Sequence, residues 1–332
     1  MNILQQISKH RTVLMGVAIL WIVLYHSGFQ CFPFCCQPMR FIQDSGYGGV
    51  DIFLFLSGFG LYYSSLKSES KLSFYRKRFF RIFPAYIIIV TLAVLIGHES
   101  ASSYLYKVTT IGFWLNEGYF DWYVPSIVVL YLLFPFYIKL FNRKPLITTI
   151  FAIILGLIIT FIFGRYFLNL GQIILLFLTR IPIFVIGIFI GKLSTEKSFS
   201  SSIMKPLSYI LMLLGFAGLF YIKTDPVFTP YLWKGLHWLP FAIIVPGLIL
   251  LLSSLFKRFY NKYIYKGFTF LGNICFELYL SHMLLFMYRD YWALKYNLNI
   301  DLVTFIFILI SLPIAYFLNQ VSNVVAKKCI RA

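Results

Sequence analysis

Along most of the chain apolar residues come in long, nearly unbroken runs, not in the alternation of a strand or the one-sided stripe of a surface helix. Ten such runs lie at about 12–29, 48–66, 82–97, 123–141, 146–164, 173–193, 205–222, 237–255, 270–288 and 301–325. At ~1.5 Å per residue each approaches or exceeds what a ~30 Å hydrocarbon core requires. The pattern predicts an all-α polytopic membrane protein of about ten transmembrane helices. The apolar stretch 104–116 is too short to cross and is expected to form a loop or re-entrant piece.

The polar punctuation gives an orientation. Sorted by connection, 21 of the 29 Lys and Arg fall on one side of the predicted bundle and 7 on the other, with Arg180 inside a span. This bias alternates at every loop, so the positive-inside rule places both termini in the cytoplasm. Trp122, Trp233, Trp238 and Trp292 fall near the opposite boundary, as interfacial aromatic belts do. No polar linker or repeat interrupts the series, so residues 1–332 are expected to form a single transmembrane domain. The first apolar run is too long for a signal peptide and has no small-residue cleavage site, so it should be retained.

Composition agrees: 60% hydrophobic and 12% charged residues exclude an ordinary soluble domain. A net charge of +18 would otherwise suggest nucleic acid, but the loop bias already accounts for it and no nucleic-acid partner is expected. Cys31, Cys35 and Cys36 cluster closely enough for a loop disulfide or for free thiols.

Against this apolar background a few polar residues stand out. His26 lies near the far end of the first predicted helix and His282 at similar depth on the ninth. Each could be a hydrogen bond between helices; together they could form a site, because a neutral imidazole can take a proton from a hydroxyl. Asp51 opens the second helix and serves either as a cap or as a catalytic partner. Gly48, Gly49, Ser57 and Gly58 are small enough for close helix approach. Glu277, mid-helix, is disfavoured by roughly 2.5–3.5 kcal/mol on insertion scales and should face the interior, with Arg180 as a candidate partner. Arg76, Lys77, Arg78 and Arg81 form a basic run that is either a topology anchor or a grip for phosphates. No glycine-rich phosphate loop, CxxC or HExxH is present, and no metal is expected.

Several stretches together resemble one family. Gly49–Phe59, GVDIFLFLSGF, is similar to the GVDxFFxLSGF signature of the integral-membrane acyltransferases of family three, which O-acylate bacterial surface polysaccharides. Phe74–Tyr86 resembles that family's FYxRRxxRIxPxY stretch, Arg180–Gly187 its RxPxFxxG helix and Leu271–His282 its LGxxSYxLYLxH segment. Two positions depart. The family places an arginine eleven residues before the first-helix histidine; here Met15 stands there and Arg11 lies one turn earlier. In Trp122–Pro135, Ile127 and Val128 stand where many members carry acids, so Asp121, Glu117 or Asp51 would have to supply one.

The resemblance implies an O-acyltransferase of the bacterial cytoplasmic membrane, carrying an acyl group, acetyl first, from cytosolic acetyl-CoA or another acyl-CoA to a hydroxyl of an extracytoplasmic or lipid-linked glycan. In that reading His26 is the base or acyl relay, Asp51 or His282 orients it, Arg11, Arg76, Arg78 and Arg81 hold the donor's phosphates, and membrane lipids surround the bundle. Ser57, Arg180 and Glu277 are structural or intramembrane polar groups. The alternative is a proton-coupled transporter or flippase of a small molecule or lipid-linked sugar, since intramembrane Glu277, Arg180 and two histidines suit a carrier too.

Overall fold

A computed structural model of the chain describes residues 3–30, 36–67, 70–116, 120–167, 174–196, 201–228 and 235–331, and every regular element among them is helical. The chain opens with α1 (Ile3–Ser27), and a short α2 (Gln37–Asp44) turns it back into α3 (Gly48–Ser65). Next come α4 (Lys71–Ile96), two short helices α5 (Ala101–Val108) and α6 (Ile111–Leu115), and the hairpin of α7 (Tyr123–Arg143) with α8 (Pro145–Tyr166). After α9 (Ile181–Thr195) and α10 (Ser201–Thr224), a single 3-10 turn, Leu236–Trp238, leads into α11 (Phe241–Arg258). α12 (Lys262–Asn273), α13 (Cys275–Phe286), α14 (Arg289–Lys295) and α15 (Ile300–Arg331) complete the chain.

The molecule is a multi-pass membrane protein. Among the described residues eight helices are long and apolar enough to cross a membrane, or nine when α12 and α13 count as one span. The second predicted helix, α3, exists but falls outside that set. Most of it, from Gly48 to Phe59, is buried by other helices, so its composition answers to protein neighbours and not to lipid. The lipid-facing counterpart is α8, where Ile147, Phe151, Ile154, Ile158 and Phe161 stand 50–70% exposed.

Four features differ from the sequence expectation. α1 begins at Ile3 and α4 at Lys71, so the basic run is helical; Ser70 caps it by accepting a hydrogen bond from the Ser73 amide at 3.2 Å. The stretch expected as a loop or re-entrant piece at 104–116 carries α5 and α6. The ninth predicted helix is broken: α12 and α13 meet at 70° around Ile274. The Asn273 carbonyl released there accepts a hydrogen bond from the Asn319 amide of α15 at 3.1 Å.

Small residues bring the central helices into backbone contact. A Cβ on Gly16 would collide with the Phe268 carbonyl, and one on Gly272 with the Thr12 carbonyl, so α1 and α12 cross with no side chain between them. α3 and α9 do the same through Gly58 against Phe184 and Gly187 against Phe55. Gly48 and Gly49 also act as spacers, against Phe241 and against Ala18 with Ile22.

Candidate active site

α1 and α13 set the two histidines against each other. His26 Nδ1 lies 2.9 Å from His282 Nε2, with the rings 5.1 Å apart. His282 is fully buried, and its Nδ1 lies 2.8 Å from the Leu278 carbonyl one turn back. A carbonyl can only accept, so His282 Nδ1 carries the proton and its Nε2 offers a lone pair. His26 Nδ1 must then donate to it. In the neutral pair His26 Nε2 is left as an unprotonated base on a half-buried ring. Tyr279 and Phe286 pack edge-on against His282 at 5.8 and 5.5 Å.

Arg289 fixes the end of α1 beside this pair. Its Nη1 donates to the carbonyls of His26 at 3.3 Å and Ser27 at 3.0 Å, placing a cation on a helix C-terminus.

Starting about 11 residues earlier on α1 and reaching back to Arg11, hence ~16–22 Å along its axis, a cavity of about 400 Å³ opens among α1, α3, α4, α7, α12 and α13. Three guanidinium groups line it, Arg11, Arg78 and Arg81, with Ser57, Tyr123, Tyr131 and Cys275. Arg11 lies along Gly60, where a Cβ would come within 2.8 Å of its Nη2, and its Nε donates to the Leu56 carbonyl at 3.2 Å. Met15 lines the same cavity, so the one-turn offset does not keep Arg11 from it. Tyr279 belongs to both places: it lines the cavity, and its ring packs against His282 and Tyr123.

The basic run splits by face. Arg78 and Arg81, three residues apart, both reach the cavity, whereas Arg76 donates to the Cys329 carbonyl of α15. Arg81 Nη1 also binds Glu277 Oε1 at 2.9 Å. Glu277 is fully buried, so this pair satisfies the charge for which Arg180 had been the candidate partner.

Arg180 faces Asp51 instead, with Nε 3.8 Å from Oδ1, both side chains buried. Its guanidinium sits between the rings of Trp122 and Trp238, 4.5 Å from each centroid. Two desolvated cation–π contacts of up to ~2 kcal/mol each help keep this cation inside. Asp51 lies in the first turn of α3 and makes no hydrogen bond to His26. Between them stand Tyr25, 5.2 Å from the His26 ring, and Tyr47, 5.5 Å from Tyr25. Of the three catalytic candidates, His26 and His282 come together and Asp51 stands apart with Arg180.

Asp121 caps α7 by accepting from the Val124 amide at 2.8 Å. Glu117, Trp233, Cys31 and Cys35 lie outside the described residues. Sequence reasoning missed Tyr123, Tyr131, Cys275, Tyr279 and Arg289. Only the tyrosine within LYLSH had a signal, three residues before the histidine on the same helix face. No group of three or more His, Cys, Asp or Glu able to hold a metal exists among the described residues.

Compared with known proteins, residues 13–319 match the family described as an acyltransferase domain, in its third family. No curated protein and no solved structure matches.

Proposed function

Because the chain belongs to that acyltransferase family, we propose that it transfers an acetyl group from cytosolic acetyl-coenzyme A to a hydroxyl of an extracytoplasmic or lipid-linked glycan in the bacterial cytoplasmic membrane. With the basic loops on the cytosolic side, the arginine-lined cavity faces the donor and the histidine pair lies towards the acceptor. Arg11, Arg78 and Arg81 grip the donor's phosphates, for which guanidinium forks are suited, while Arg76 anchors the C-terminal helix.

His26 Nε2 takes the proton of the acceptor hydroxyl as its oxygen attacks the thioester carbonyl. The tetrahedral intermediate collapses, the C–S bond breaks, and the coenzyme A sulfur leaves with the proton returned from the imidazolium. His282 accepts from His26 Nδ1 throughout. It fixes the tautomer and strengthens its hydrogen bond when His26 becomes cationic. Tyr279, touching both cavity and His282, marks where the acyl group passes from one half to the other.

The observation that carries this reading is the 2.9 Å contact between His26 and His282 with His26 Nε2 left free. Purified protein in detergent, given labelled acetyl-coenzyme A and candidate glycans, should label the acceptor. His26→Ala should lose that labelling by about 10²–10⁴-fold, the usual contribution of a general base. Undiminished labelling in a well-folded His26→Ala protein would refute the mechanism.

A further inference from the structure

A groove of about 320 Å³ lies apart from the arginine cavity, between α8 and the segment around the 3-10 turn. Its α8 wall is one helix stripe, Leu157, Thr160, Phe161, Gly164 and Arg165; across it stand Phe228, Leu236 and Leu239. The Thr160 hydroxyl is turned back to the Gly156 carbonyl at 2.7 Å, so the wall offers little polarity. The exception is Arg165, in the last turn of α8. Among the described residues no carboxylate pairs with it.

The far wall has two sides. Leu236 and Leu239 face the groove, whereas the residues between them face inwards: the His237 ring stands 5.2 Å from Tyr47, and Trp238 covers Arg180 at 4.5 Å. From Tyr47 the rings continue through Tyr25 to His26 at 5.5 and 5.2 Å. An apolar trough with a cation at its end thus backs onto the ring cluster that ends at His26, in which Tyr47 is buried and Tyr25 is exposed.

Building on the acyl-transfer reading, we propose that the acceptor is lipid-linked: its apolar chain lies in this groove, its phosphate meets Arg165, and its saccharide extends over the 3-10 turn and past the exposed Tyr25 ring to His26. The match is chemical at each station. An apolar chain fills a trough that faces hydrocarbon, a phosphate complements a guanidinium that packs on the Tyr166 ring with no carboxylate to neutralise it, and the exposed ring of Tyr25 receives the apolar face of a sugar.

Gly164 allows a direct test, because it lines the groove and a Cβ there meets only Leu175 Cδ1, at 3.9 Å, so a side chain can be introduced without a backbone collision at its Cβ. Wild-type protein, Gly164→Leu and Arg165→Gln in proteoliposomes are given labelled acetyl-coenzyme A with either a polyprenyl-diphosphate-linked oligosaccharide or the same oligosaccharide free in water. The wild type should favour the lipid-linked acceptor in kcat/KM, and each substitution should lower the ratio of lipid-linked to free acceptor at least tenfold. An unchanged ratio means that ordinary phospholipid fills the groove, and overturns the proposal. Wild-type transfer to the free oligosaccharide alone also overturns it while leaving the acyl-transfer reading intact; no transfer to either acceptor overturns both.

Discussion

Replacing His282 tests the site most sharply, because the proposed mechanism gives that residue one task and His26 another. In His282→Ala the His26 Nδ1–H loses its acceptor, 2.9 Å away in the native protein, and the imidazolium formed during proton transfer loses a charge-assisted hydrogen bond. Hydrogen bonds to charged groups are worth ~1.5–3 kcal/mol, so kcat should fall by about 10–150-fold. KM for the donor should hold, since the arginine cavity does not include His282. His282→Gln, which offers an amide oxygen in place of Nε2, should recover part of the loss. Once His26 is gone His282 has nothing to orient, so the double variant should be no slower than His26→Ala alone. The measurement is steady-state acyl transfer by detergent-purified variants matched for monodispersity. Losses that multiply in the double variant, or a His282→Ala enzyme with unaltered kcat, would show that the histidines do not act as a unit.

Other consequences follow from the packing and the remaining charges. Arg81→Ala leaves Glu277 buried and unpaired, a loss of up to ~3–5 kcal/mol that the partial exposure of Arg81 reduces; thermal stability in detergent should drop, and adding Glu277→Gln should restore most of it. Gly272→Ala drives a methyl into the Thr12 carbonyl and should cost about 1–3 kcal/mol or more by prising α12 from α1, read as a lower unfolding temperature; Gly267→Ala, with open space around its Cβ, is the control. In the connection after α4, desolvation would raise the Glu99 carboxyl, but hydrogen bonds from Lys107 and Ser103 outweigh it and hold the pKa below its ordinary value of 4.5. A carboxyl lowered on folding stabilises above the unfolded value and loses that contribution as pH falls through the folded one. The acid limb of the stability curve below about pH 4.5 should therefore be shallower in Glu99→Gln, measured by thermal unfolding across pH.

Much of the architecture could be read from hydropathy because a bilayer demands it. Every lipid-facing helix announces itself, and α3, clad in protein, shows both an apolar run and the glycines of close helix packing. The matching depth of His26 and His282 was legible because depth along a helix is sequence position times rise. Azimuth was legible only in part: at ~100° per residue Arg76 points ~160° away from Arg78, while Arg78 and Arg81 lie ~60° apart, and the structure separates them accordingly. Partnerships across the bundle could not be read at all. Glu277 pairs with Arg81, 196 positions away, and Arg180 with Asp51, because the choice depends on which helices become neighbours. The break before α13 had a local trace, Gly272-Asn273 inside an apolar run, but its angle depends on α1 and α15 on either side.

The glycine contacts also divide the molecule mechanically. Where backbones touch, as between α1 and α12 or α3 and α9, neither helix can slide or tilt without a collision. Peripheral α8 and α10 are held far less, with 17% and 22% of their spanning windows buried. A bilayer that thins or thickens is therefore accommodated by tilt at the periphery, while the core behaves as a stator that keeps the two imidazoles in register.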